Sequence, residues 1–216
     1  MSLPATAPIA SPPRAAFGDT IEILPKIFHD DTNLAVMRRQ LDADLAASVA
    51  AQLAVDRRLD WRWRGGVGEA LAEDLLNHLP RPSQAKPLVE DITLICEAMA
   101  YLFDTETIGV RLQRLEGAMC PRFHVDNLAV RLVSTYAGAG SEWLPEPAAE
   151  RAGLGAPRPG KPDPLRDAQS IRRLGCGDIA LLKGKGWVGN EGRGLVHRSP
   201  QAAPGEPRLL LALDPG

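Results

Sequence analysis

Residues 120–136 read CPRFHVDNLAVRLVSTY. From 129 onward β-branched and apolar residues dominate, the pattern of a half-buried strand. At its head stand His124 and Asp126, two positions apart. In an extended chain, residues i and i+2 project to the same face, so an imidazole and a carboxylate are expected to reach into one space. Continued along the strand, the same parity carries Leu128, Val130, Leu132, Ser134 and Tyr136, and turns Arg131 to the opposite face unless a bulge intervenes.

Outward from this stretch the chain changes period. Upstream, after HDDTN, the segment 34–55 spaces Leu34, Met37, Leu41, Leu45, Val49 and Leu53 three or four residues apart, which predicts a helix. VGEALAEDLLNHL, ended by Pro80, and PLVEDITLICEAMAYLF repeat the pattern. DWRWRGG reads as an edge strand with aromatic packing. Downstream, TIGVRLQRL, GDIALLKG, GLVHRS and RLLLALD are short strand-like runs between Gly and Pro, the mark of a sandwich, jelly roll or barrel. A Pro/Gly-rich loop over 145–170 separates them, and long loops of this kind often border a functional mouth. The expected organisation is α+β. A disordered lead over 1–19 precedes one domain over 20–216, with a helical layer at about 30–104 and a β core at about 106–216.

The 216 residues carry a net charge of −2, which offers no basic field for nucleic acid, and no apolar run is long enough for a membrane span. Three cysteines without a CxxC pair argue against a disulfide-stapled secreted scaffold, so a cytoplasmic location is expected.

The only histidine downstream of His124 is His197, in GLVHRSP. Two imidazoles and one carboxylate, two of them adjacent and the third from a distant strand, form the donor set of a facial triad. Such a triad holds Fe(II) and leaves coordination positions open. Cys120 shares strand parity with His124 and Asp126, so a zinc site of Cys120, His124, Asp126 and His197 is the alternative. Beyond His197, Arg208 opens the last apolar strand. A guanidinium entering an apolar barrel requires a carboxylate partner, and a dicarboxylate cosubstrate could supply one.

At this point the residues resemble two families. FHVDNLAVRLVSTYAGAGSEWL with GDIALLKG and GLVHRSP resembles, over nearly the whole chain, an uncharacterised bacterial family, domain of unknown function 1826. More distantly, the order HxD, GDIALLKG, LVHRSP and a following Arg resembles the Fe(II)/2-oxoglutarate-dependent oxygenases, whose core is a double-stranded β-helix of cupin-like, jelly-roll form. That second resemblance implies N-terminal helices packed on such a core, with iron held by His124, Asp126 and His197. It further implies that Arg208 pairs with the distal carboxylate of 2-oxoglutarate, with Tyr136 assisting, and that a small molecule or protein side chain is hydroxylated. Leu210 stands where that superfamily carries a serine two residues after the arginine. The competing expectation is a cupin-like protein that handles or senses zinc without oxygenase activity.

Overall fold

The computed structural model describes residues 12–201 and 205–216. In chain order the elements are β1 (Arg14–Gly18), β2 (Thr32–Met37), α1 (Ala43–Leu53), β3 (Asp60–Gly65), α2 (Glu69–His78), α3 (Lys86–Leu102) and β4 (Ile108–Leu115). They continue with β5 (Val130–Ala137), β6 (Glu142–Leu144), β7 (Arg172–Arg173), β8 (Ile179–Lys183), β9 (Val196–Arg198) and β10 (Arg208–Pro215). Seven strands form one sheet in the order β1-β2-β8-β5-β10-β4-β3, and three form a smaller sheet, β7-β6-β9. Among the described residues only the β1–β2 pairing is parallel; the other strand pairings are antiparallel.

Alternation along the strands of the large sheet separates two cores. Ala35, Val130, Leu132, Leu181 and Leu211 pack with the apolar stripes of α1, α2 and α3 on one face. Leu34, Val36, Val133, Leu182 and Leu210 pack on the other against Trp143, Leu174 and Leu195 of the small-sheet side. The helices therefore back one face of the large sheet, while the small sheet and its loops cover the other.

The helix expected over 34–55 is shorter than its spacing suggested. Leu34, Ala35 and Val36 are wholly buried within β2, which lies between β1 and β8. A strand buried on both faces shows no polar alternation, so a helical period can be drawn through it. The helix begins only after Asp42, whose side chain accepts from the Leu45 amide at 2.8 Å, an N-cap. The second and third helices and the aromatic edge strand β3 lie where the sequence places them. The expected disordered lead is corrected over 14–18, which pair with β2; its residues 1–11 lie outside the described residues. No helix among the described residues is long and apolar enough to cross a membrane.

Candidate metal centre

His124 and His197 meet because their backbones do. Each amide donates to the other's carbonyl at 2.9 Å, a reciprocal antiparallel bridge between the segment before β5 and strand β9. Residues directly opposite in such a pair project to the same side, so both rings enter one space, with centroids 4.5 Å apart. Asp126, two residues on, joins them. The three side chains each bring a ligand atom within 4.8 Å of the other two.

The hydrogen bonds decide what these atoms are. His124 Nδ1 lies 3.0 Å from the Arg122 carbonyl and His197 Nδ1 lies 3.1 Å from that of Leu195. A carbonyl only accepts, so each Nδ1 carries a proton and donates, which leaves each Nε2 as the ring nitrogen turned toward Asp126. Those Nε2 atoms sit 3.7 and 3.8 Å from the two Asp126 oxygens, too far for hydrogen bonds. A simple His–Asp hydrogen bond therefore does not account for the cluster. Two imidazole nitrogens and a carboxylate converge without hydrogen-bonding one another, a donor set that could hold a metal ion. Burial, with His124 beside it, pushes the His197 imidazolium down to about 4 although Asp126 opposes this, so His197 is neutral at pH 7.

Asp126 is held from behind. Arg131 Nη1 donates to Asp126 Oδ2 at 2.9 Å, while its Nε and Nη2 grip Asp214 at 2.7 and 2.9 Å. The backbone carbonyl of Asp126 accepts from the Lys185 amide at 3.0 Å, and Gly186 N donates to Leu128 O at 3.1 Å. This close approach needs glycine on both sides of Lys185: a Cβ at Gly184 would fall 2.1 Å from Leu128 O, and one at Gly186 2.6 Å from Asn127 O.

A cavity of about 170 Å³ joins His124, Asp126 and His197 to Arg208 and is also lined by Arg131, Ser141 and Leu210. Arg208, the first residue of β10, is 4% exposed. Its Nη2 donates to Ser141 Oγ at 2.7 Å and Thr135 Oγ1 at 3.1 Å. Its Nε is buried without a partner, and burial pushes the group down to about 10. Among the described residues no carboxylate pairs with it. The arginines around it are satisfied, Arg131 by Asp126 and Asp214 and Arg198 by Glu142.

Two sequence expectations are corrected here. Tyr136 is on the helical face, where its hydroxyl donates to Asp91 Oδ2 at 2.6 Å, and that carboxylate is clasped by Arg39. The bend at residues 127–129 inverts strand parity after Asp126, which sends Val130, Leu132 and Tyr136 to the helices and Arg131 and Thr135 to the site. Cys120 borders the cavity but is not among the side chains gathered around the metal position, so the four-ligand zinc site is not formed among the described residues. Thr135, Ser141 and Arg131 are site residues that spacing did not reveal.

A family model described as "Protein of unknown function (DUF1826)" matches residues 18–214. No curated protein matches the chain. Among solved structures, the dioxygenase for auxin oxidation 1 of Arabidopsis thaliana, in its 2-oxoglutarate complex, is similar at 9% identity and a TM-score of 0.57, over 93% of this chain and 92% of that one. The rice dioxygenase for auxin oxidation is similar at 14% identity and a TM-score of 0.49, over 84% and 72%. A Pseudomonas putida prolyl-4-hydroxylase gives 12% identity and a TM-score of 0.43, over 90% and 97%. At these identities the likeness is one of fold.

Proposed function

We propose that this chain, which belongs to the DUF1826 family, is a non-haem Fe(II)- and 2-oxoglutarate-dependent oxygenase built on a double-stranded β-helix. The observation that carries the reading is that one cavity brings together a metal-ligating donor set and a buried guanidinium. The donor set is His124, Asp126 and His197, and the guanidinium is that of Arg208, whose Nε is buried without a partner and which no carboxylate pairs with among the described residues. Burying an arginine without a counter-charge costs several kcal/mol by order of magnitude, so its retention calls for an anion that arrives with the ligand. The Arabidopsis fold relative in complex with 2-oxoglutarate supports the same reading.

In this reading His124 and His197 hold the ion through Nε2, and Asp126 offsets part of its charge. Arg131 fixes the orientation of the carboxylate through the bond from Nη1 to Asp126 Oδ2. Arg208 receives the distal carboxylate of the cosubstrate, and the Thr135 and Ser141 hydroxyls that orient it take over the part of the serine that Leu210 replaces. With iron bound, dioxygen would be the oxidant: one of its oxygen atoms would enter 2-oxoglutarate, which leaves as succinate and carbon dioxide, and the other would enter a substrate C–H bond. The test is anaerobic addition of Fe(II) and then 2-oxoglutarate, followed by dioxygen. A weak visible charge-transfer band and release of succinate are expected. No band and no succinate, from protein that binds one equivalent of metal, would refute the reading.

A further inference from the structure

The three ligands are unequally covered. The His124 side chain is 33% exposed, against 11% for His197 and 13% for Asp126. Its outward edge borders two further cavities, of about 400 and 390 Å³, which both also touch Gly155 and so form a groove across that edge. This volume lies in the range of small-molecule sites. Arg208 lines neither cavity.

Its walls are charged in one sense. Lys185 and Arg151 line one cavity and Arg122 lines the other, and no carboxylate lines either. Arg151 is neutralised by Glu146 at 2.5 and 2.7 Å. Arg122 and Lys185, both exposed, form no ion pair among the described residues, and Lys161 supports the lip by donating to the carbonyls of Leu154 and Ala156. Asn127, also at the wall, is exposed, and its side-chain amide has no hydrogen-bond partner among the described residues. In a chain of net charge −2, this is a local concentration of unpaired cations and donors at the exposed ligand.

We propose that the groove over His124 binds a small molecule carrying a carboxylate or phosphate, held by Lys185, Arg122 and Asn127, and that this anion is the handle of the primary substrate. The word substrate rests on the oxygenase reading; the anion site does not. The test therefore uses the full-length, metal-free chain, with phenylacetate and inorganic phosphate as anionic probes and phenylacetamide as the uncharged control, each titrated by calorimetry at low ionic strength. Saturable binding of at least one anion, weakened by salt and absent for phenylacetamide, is expected. The Arg122→Glu/Lys185→Glu variant should lower its affinity at least about tenfold, and Lys185→Gln, a milder change at an exposed position, should lower it severalfold. Arg208→Met should leave it unchanged. Binding of phosphate but not phenylacetate would assign the handle to a phosphate, and the reverse to a carboxylate. If neither anion binds, if phenylacetamide binds equally, if charge reversal has no effect, or if Arg208→Met abolishes binding, the proposal is overturned. Anion binding without succinate release would instead refute the oxygenase reading alone, and succinate release without anion binding would refute only the present one.

Discussion

Replacing Arg208 by Met should stabilise the empty protein while destroying its response to 2-oxoglutarate. Burial brings this guanidinium down to about 10, which corresponds to roughly 3 kcal/mol against the charged form at 1.36 kcal/mol per pH unit. The two hydrogen bonds to Thr135 and Ser141 offset this by about 1 kcal/mol each. A methionine of similar length fills the apolar part of the space and relieves the balance, about 1 kcal/mol. For a chain of this size that raises Tm by roughly 2–4 °C. With Mn(II) present and 2-oxoglutarate at about a hundred times its Kd, the parent should gain about 2.7 kcal/mol and the variant almost nothing, so the order of melting temperatures reverses. Differential scanning calorimetry of both proteins, with and without cosubstrate, reads this directly. If Arg208→Met melts lower than the parent when empty and still gains from 2-oxoglutarate, then Arg208 is a structural residue and the reasoning fails.

Three further outcomes follow from the geometry. Arg131→Met, which frees Asp126 from its orienting partner, should weaken metal affinity about 10–100-fold in chelator competition, although Arg131 touches no metal. Tyr136→Phe should cost roughly 1.5–3 kcal/mol in urea unfolding, because it removes a donor from the half-buried carboxylate of Asp91, while leaving the affinity for 2-oxoglutarate unchanged. Glu142, buried between Arg173 and Arg198, is held below the ordinary glutamate value: burial opposes its ionisation, and the two guanidinium groups outweigh it. Its contribution is therefore complete above about pH 4.3 and lost as pH falls through the lower folded value, so Glu142→Gln should be less stable near neutrality and show a flatter acid limb in pH-dependent melting.

How much of this was legible beforehand depends on the range of the interaction. The HxD pair could be read because i and i+2 share a face in any extended chain, and His197 could be added because no other histidine lies downstream. Its meeting with His124 is a matter of register, set by a bridge of two backbone hydrogen bonds that no spacing rule contains. Arg208 could be suspected because a charged residue opens an apolar strand. Its true companions could not, since Thr135 and Ser141 reach it only after the bend at 127–129 reverses the parity of β5. The same bend removed Tyr136 from the site and brought Arg131 in. It has a sequence correlate in GKG at 184–186, where two glycines let the backbone of one turn press on the other. β2 escaped notice for the opposite reason, because burial on both faces erased the alternation that identifies a strand.

The central claim is that His124, Asp126 and His197 hold one ion and leave part of its coordination sphere free. Anomalous diffraction at the iron edge, from crystals grown anaerobically with Fe(II), addresses it most directly. The account predicts a single peak bonded to His124 Nε2, His197 Nε2 and an Asp126 oxygen, with no fourth protein ligand, and no peak in crystals of His197→Ala. A peak elsewhere, or a closed shell completed by Cys120, would contradict it.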